Sequence, residues 1–214
     1  MKTKIILSLL AMVFLWSCST TMKYTWTKEN FEGKKFDKIL VLTITKNLKS
    51  RTLFENTVVQ LLAEEGFNAT NALNVFTPVE DMKKLTEEEI GNRIKGGGYD
   101  AILVTSLIDI TSRDVRVNNT TPYYPYMYGG YYGYGYRSFI YSNYNYMYSI
   151  DSYREEKTYV LETRLYDVNE TDNKEAIVWS GQSELVDPSG SESASKSYSG
   201  ALVKTLMESG TIQK

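Results

Sequence analysis

Runs of apolar residues alternate with amphipathic stretches through the first half of the chain. Lys38 to Thr45 and Asp100 to Ile110 are apolar on both faces, as is typical of central strands that are covered on both sides. Between them, Arg51 to Glu65 carries an apolar stripe with helical spacing. Phe67 to Leu73 is assigned as a further strand, and Pro78 to Leu85 as a helical turn. The order of these elements predicts an α/β layer.

Local signals mark the ends of the predicted helices. Ser50 and Thr52 are alternative caps for the first helix, and Gly66 is suited to end it. Thr86-Glu87-Glu88-Glu89 has the spacing of a capping box and opens a second helix. Gly96-Gly97-Gly98 follows that helix and precedes a strand, which is the reverse of the order in a phosphate-binding loop. We therefore interpret the three glycines as a helix stop.

The second half of the chain predicts a hairpin and a final helix. Lys157 to Val168 and Glu175 to Val186 alternate between apolar and polar positions, and Asn169 to Lys174 is a polar turn between them. Such alternation is typical of antiparallel strands with one exposed face. A last amphipathic helix runs from about Ser193 to Glu208. The predicted fold class is α/β (α+β), with a single mixed sheet of about five strands, packed helices and a long tyrosine-rich insertion.

The N-terminus has the features of an export signal. Lys2 and Lys4 precede a short apolar stretch from Ile5 to Leu15, which at about 1.5 Å per residue is too short to span a bilayer core of about 30 Å. Leu15-Trp16-Ser17-Cys18 resembles the lipobox of bacterial lipoproteins, and Cys18 is the only cysteine in the chain. A lone thiol in an exported protein needs a reason, and lipidation supplies one.

These observations divide the chain into segments. Residues 1–17 are predicted to be the signal peptide and residues 18–35 a lipidated tether, with a short strand near Tyr24 to Thr27. Residues 36–214 form the predicted α/β domain, and residues 111–156 form an insertion loop within it.

Composition narrows the possible chemistry. The chain has no histidine, which argues against serine–histidine and cysteine–histidine catalysis and against histidine-ligated zinc. A single cysteine allows no intramolecular disulfide and no cysteine-ligated metal site, so we expect neither a metal nor another cofactor. The formal net charge of −2 offers no basic surface for nucleic acid.

The most unusual feature is a tyrosine-rich tract. Tyr123 to Tyr153 holds thirteen of the 18 tyrosines, with glycines interspersed. Three interpretations remain open: a mobile insertion without a ligand, a surface that binds a glycan or a protein partner, and a self-associating segment. If the tract is a binding surface, deleting Tyr123 to Tyr153 is expected to leave the domain folded. The candidate binding residues are Tyr123, Tyr124, Tyr126, Tyr128, Tyr131, Tyr132, Tyr134, Tyr136, Tyr141, Tyr144, Tyr146 and Tyr148.

Carboxylates near strand ends offer a weaker alternative. Asp109 and Asp114, beside Arg113, follow one predicted strand, and Asp167 and Asp187 lie near the ends of others. Two converging carboxylates are the minimum for acid–base hydrolysis. No spacing in the sequence fixes such a pair, so we expect a protein that is not an enzyme.

A family resemblance supports this organisation. Phe36 to Val41, Phe54-Glu55, Tyr99 to Val104, Leu161 to Asp167 and Val178 to Gly181 resemble segments of a group of uncharacterised bacterial envelope lipoproteins with a tyrosine- and glycine-rich insertion. More distantly, the order of elements is similar to the N-terminal domain of TolB and to the curli-secretion lipoprotein. Those domains serve envelope assembly through protein contacts.

The resemblance implies a location and a role. Ser19 follows the cysteine instead of the aspartate that retains such lipoproteins in the inner membrane, and no acidic run follows it. This implies lipid anchoring in the outer membrane, on the periplasmic face. The expected function is a non-catalytic interaction or assembly role in the cell envelope, with the membrane and an envelope protein as partners. The alternatives are a glycan- or peptidoglycan-binding lipoprotein and a carboxylate-dependent hydrolase.

Overall fold

The computed structural model of the chain describes residues 21–78, 80, 82–112, 135–149, 157–172, 174–186 and 190–214. Its centre is a mixed six-stranded sheet in the order β1-β7-β6-β5-β3-β4. The strands are β1 Tyr24–Thr27, β3 Ile39–Ile44, β4 Ala69–Asn71, β5 Ala101–Ser112, β6 Lys157–Asp167 and β7 Ile177–Val186. β3 pairs in parallel with β4 and β5, and the other pairs are antiparallel.

Four helices of the described residues cover the two faces of this sheet. They are α1 Leu48–Glu64, α2 Glu87–Gly96, α3 Tyr136–Ser149 and α4 Ser191–Glu208. α1 and α4 pack together on one face, and α2 and α3 pack on the other. The mixed α/β class predicted from the sequence is confirmed.

The central strand β3 contributes side chains to both hydrophobic cores of the protein. Ile39 and Val41 of β3 join the core under α1 and α4, whereas Leu40, Leu42 and Ile44 join the core under α2 and α3. Successive side chains of a strand point to opposite faces, so an unbroken apolar run supplies both layers. The apolar strand predicted over Lys38 to Thr45 therefore lies in the middle of the fold.

The helix boundaries follow local capping chemistry. Thr86 and Glu89 form the predicted capping box, and Gly97 and Gly98 end α2, with Gly98 at a φ of +71°. The first helix begins earlier than predicted, because Asn47 is its cap and accepts a 3.0 Å hydrogen bond from the Ser50 amide. Neither Ser50 nor Thr52 is the cap.

The predicted insertion loop of residues 111–156 is partly regular structure. β5 extends to Ser112, and residues 136–149 form helix α3. Phe139 and Ile140 of this helix are buried in the core beside Ile90 of α2. This helix was not predicted, because its apolar positions lie among tyrosines and glycines that are equally common in loops. Deleting Tyr123 to Tyr153 would therefore remove part of the core.

The segment assigned to the tether also contributes to the fold. Tyr24–Thr27 forms the expected strand, but as the edge strand of the main sheet, antiparallel to β7. Lys34–Lys35 forms β2, which pairs in parallel with β8 Ile212–Gln213 near the C-terminus. The folded part of the chain therefore begins well before Phe36.

The predicted antiparallel hairpin of β6 and β7 forms, but neither strand has the exposed face that the alternation suggested. Glu162 and Arg164 of β6 are fully buried, and Gln182 of β7 is nearly so. The reason is α3, which covers the face on which these polar residues lie. The polar positions of β6 therefore mark a second buried layer.

Candidate functional site

A cavity of about 520 Å³ lies at the carboxyl end of β3, beside the middle of β5. The two strands are paired in parallel from Ile39 opposite Ala101 to Ile44 opposite Ser106. β3 ends there, at the carboxyl edge of the parallel part of the sheet, whereas β5 continues to Ser112. Crevices at this edge are common ligand sites in α/β folds. The volume is within the range of about 300–1,000 Å³ that is usual for small-molecule pockets.

Two helices close the sides of the cavity. β3 leads through Thr45 and Lys46 to Asn47, the cap of α1, so the first turn of α1 forms one wall. Gly190 precedes α4, and Ala194 and Ser195 in the first turn of that helix form the opposite wall. The cavity is thus bounded by the sheet on one side and by the beginnings of both helices on the other.

Aromatic and aliphatic groups supply most of the lining. The rings of Phe54 and Tyr198 lie 5.4 Å apart and join α1 to α4 across the base of the cavity. Further apolar surface comes from the strands, through Ile44, Leu107, Tyr159, Leu161 and Leu185. Such a lining favours an apolar ligand or an apolar part of a larger one.

Hydroxyl groups form the polar part of the site. Thr105 Oγ1 and Thr163 Oγ1 are 2.7 Å apart, and Thr163 Oγ1 is 2.9 Å from the Tyr198 hydroxyl. Burial raises the pKa of Tyr198, so the phenol stays protonated at neutral pH. Thr43 Oγ1 is buried at the cavity without a hydrogen-bond partner in the protein. Among the described lining residues, Lys46 is the only charged one.

This site was not predicted from the sequence. Its residues are ordinary strand and helix positions, brought together by the parallel pairing of β3 with β5 and by the packing of α4 on α1. One available signal was Thr43-Ile44-Thr45, since hydroxyl residues at the end of a buried strand often line a crevice.

Only some of the tyrosines predicted to bind a ligand lie among the described residues, and two of these are buried. Tyr136 and Tyr144 are buried in the core under α3, so their rings are not available to stack on a ligand. Tyr141 is 37 % exposed, and Tyr146 and Tyr148 lie within α3. The remaining candidates lie outside the described residues, as does Cys18; they are Tyr123, Tyr124, Tyr126, Tyr128, Tyr131, Tyr132 and Tyr134.

The predicted carboxylates do not converge where the structure describes them. Asp167 lies opposite Ala101 at the start of β5 and forms an ion pair with Lys34, with 2.6 Å between Oδ2 and Nζ. Asp109 lies eight residues further along β5, about 26 Å away at about 3.3 Å per residue. Asp114, Arg113 and Asp187 lie outside the described residues.

Two kinds of feature are absent from the described part of the chain. No group of three or more aspartate, glutamate, histidine or cysteine side chains there is arranged to hold a metal ion. No described helix is long and apolar enough to cross a membrane.

No protein-family profile and no curated protein sequence matches this chain. Solved structures show distant similarity. A PelC dodecamer subunit (L103M) from Paraburkholderia phytofirmans is 13 % identical, with 84 % of this chain and 93 % of that chain covered and a TM-score of 0.40. Lipoprotein GNA1162 from Neisseria meningitidis is 14 % identical, with coverages of 80 % and 98 % and a TM-score of 0.35. A DUF4136 family protein from Bacteroides thetaiotaomicron is 12 % identical, with coverages of 89 % and 97 % and a TM-score of 0.41.

Proposed function

We propose that this chain is a bacterial lipoprotein, anchored through Cys18 in the outer membrane with its domain on the periplasmic face. In this proposal it is a non-catalytic binding component of the cell envelope. The observation that carries the proposal is that the cavity and the beginning of β1, the first described strand, lie at the same end of the sheet. β1 runs antiparallel to β7, so its first residue, Tyr24, lies toward the end of β7 where Leu185 lines the cavity.

The lining of the cavity supports binding over catalysis. Its described residues provide apolar walls and hydroxyl groups, and no carboxylate is among them. General acid–base catalysis needs a group that accepts and returns a proton near neutral pH, and the phenol of Tyr198 is shifted away from that range. The hydrolase alternative has no described carboxylate pair to support it.

The anchoring is tested on the chain with its native N-terminus. The mature protein is expected to begin at Cys18, with a mass increase that corresponds to a diacylglyceryl group and an N-acyl chain. Cys18→Ala is expected to abolish this increase and to release the protein from the outer-membrane fraction. An unmodified Cys18 in a correctly exported protein would contradict the proposal.

An interaction role for the tyrosine tract remains part of the proposal, and the fold makes its test sharper. A deletion restricted to residues 123–134 removes seven candidate tyrosines and leaves α3 intact. Cross-linking pull-downs from intact cells would compare this deletion with the native chain. A protein captured only by the native chain supports the interaction role, whereas identical captures contradict it. Binding of purified peptidoglycan fragments that the deletion abolishes would favour the glycan alternative.

A further inference from the structure

The first described residue of the chain lies beside the cavity. The carbonyl of Thr21 accepts a 2.8 Å hydrogen bond from Ser183 Oγ in β7. Ser183 is paired with Leu161, and Leu185 follows it two residues later on the same face of the strand. Leu161 and Leu185 both line the cavity. Thr21 therefore lies along one side of this site.

The next two residues, Met22 and Lys23, also contact the fold beside β7. Met22 is partly buried and packs against the core cluster that contains Leu185, as Tyr159 and Ala194 also do. Lys23 donates its backbone N–H to the carbonyl of Gln182 at 2.8 Å, and its side chain pairs with Glu184. These contacts hold residues 21–23 against the edge of β7.

Only two residues, Ser19 and Thr20, lie between Cys18 and Thr21 in the sequence. An extended chain spans about 3.3–3.6 Å per residue, so Cys18 is confined to within about 10 Å of Thr21. A group attached to Cys18 is consequently presented to the cavity at a high effective concentration.

The chemistry of the cavity matches one acyl chain. An acyl chain needs a long apolar surface and makes no demand on hydrogen-bond partners, whereas a sugar of similar size would need many paired polar groups. The walls of Phe54, Leu107 and Leu161 provide that apolar surface, and the single charged residue of the described lining, Lys46, is exposed. A volume of about 520 Å³ is in the range for one ligand, whereas a mature lipoprotein cysteine carries three chains.

We propose that the cavity between the sheet and the first turns of α1 and α4 binds one acyl chain of the lipid on Cys18. The inference rests on the proposed lipidation of that cysteine. One chain would then be held by the protein while the remaining chains stay in the membrane, which still provides stable anchoring. The domain would be held against the membrane surface by its own lipid, with the carboxyl end of β3 facing the bilayer.

The test uses the full chain in cells supplied with a palmitate analogue that carries a photoreactive diazirine. After irradiation and digestion, mass spectrometry identifies which peptides are linked to the acylated Cys18 peptide. Links are expected to the peptides that contain Thr43 to Phe54 and Gly190 to Tyr198. Ala194→Trp fills the cavity and is expected to reduce these links at least tenfold, while Ser193→Trp, on an exposed neighbouring position of the same helix, should retain them.

Ser50→Trp repeats the test from the opposite wall, so the outcome does not depend on the folding of one variant. Cavity peptides linked to phospholipid instead of the Cys18 peptide would overturn the inference in favour of a membrane lipid as ligand. An acylated Cys18 peptide without any link to the cavity would overturn it and leave the proposed anchoring intact. A Cys18 peptide without acyl chains would contradict the proposed function itself, and the inference with it.

Discussion

Glu162 and Arg164 form an ion pair inside the protein, and neither side chain is exposed to solvent. The two residues are separated by one position on β6, so their side chains share a face of the sheet. Arg164 donates from Nε to Glu162 Oε1 at 2.9 Å and from Nη2 to Oε2 at 3.3 Å. The Arg164 guanidinium also lies 4.2 Å from the centroid of the Phe139 ring in α3. The pair is thus sealed beneath the helix that the sequence analysis placed in a loop.

We expect a large loss of stability when one partner of this pair is removed. Arg164→Met leaves the Glu162 carboxyl buried without its guanidinium, and breaking a buried pair in this way typically costs about 3–5 kcal/mol. The double variant Glu162→Met/Arg164→Met removes both charges and is expected to be more stable than the single variant. Urea denaturation measures the free energies of unfolding. A double variant that is less stable than Arg164→Met would contradict this account.

The same pair predicts how stability depends on pH. Burial raises the pKa of Glu162 above its ordinary value of 4.5, although Arg164 opposes the shift, and burial likewise raises the pKa of Glu55. Between 4.5 and the raised pKa the folded state binds more protons than the unfolded state. The stabilisation from these groups is therefore present below pH 4.5 and is lost as the pH rises through the folded-state pKa.

Glu162→Gln is expected to flatten this decline, because the amide does not titrate. Melting temperatures measured from pH 4.5 upwards for the native chain and the variant provide the comparison. Replacement of Glu192 is a suitable control. The hydrogen bond with Lys196 lowers the pKa of Glu192 below its ordinary value of 4.5, which is the lower limit of the measured pH range. Equal slopes for the native chain and Glu162→Gln would show that Glu162 does not contribute.

Glu55 joins three elements through one carboxylate, and its replacement should be costly. Oε1 accepts from the Thr43 amide at 2.9 Å and from Arg51 Nε at 2.8 Å, and Oε2 accepts from the Ala72 amide at 3.0 Å. Glu55→Gln turns an NH₂ group toward one of these donors, and a buried donor left without a partner costs about 1–3 kcal/mol. Glu64→Gln, at an exposed position of the same helix, should change stability by less than about 0.5 kcal/mol. Thermal unfolding of the two variants measures the difference.

The pattern of the sequence was sufficient for the elements whose apolar spacing is regular. The run Ile39–Ile44 and the capping box at Thr86 were predicted correctly, because burial and capping act over a few neighbouring residues. α3 was missed since its buried positions, including Phe139 and Ile140, occur among tyrosines that could equally belong to a surface loop. Its tertiary contacts with α2 and with the sheet decide which side of that helix is buried.

The candidate site was less predictable than the fold for a related reason. Thr43 and Tyr198 are far apart in sequence, and they meet only because α4 returns to pack beside α1. The buried charges could have been recognised in part, since Arg51 and Glu55 are four residues apart on the apolar side of α1. Two opposite charges four residues apart on the apolar face of a helix indicate a buried ion pair.

Gly181 gives space to a buried indole, and adding a methyl group there should destabilise the sheet. A Cβ at Gly181 would lie 2.5 Å from Cη2 of Trp179, which is fully buried. Gly181→Ala is therefore expected to cost about 1–3 kcal/mol through overpacking. Gly200→Ala is the matched control, because no atom lies within 4 Å of its Cβ and alanine stabilises a helix interior by about 0.5–1 kcal/mol. Urea denaturation should show shifts of opposite sign.

Phe139 and Tyr141 test whether α3 belongs to the core. Phe139 is 2 % exposed and packs against Tyr166 with 6.0 Å between ring centroids, whereas Tyr141, two residues later, is 37 % exposed. Phe139→Ala is expected to cost about 3–5 kcal/mol, the usual range for a buried phenylalanine, because it leaves a cavity above Arg164. Tyr141→Ala should change stability by about 0.5 kcal/mol or less, as is usual for surface positions. Equal and small effects in thermal unfolding would mean that residues 136–149 form no part of the folded core, and the ion pair beneath them would then be open to solvent.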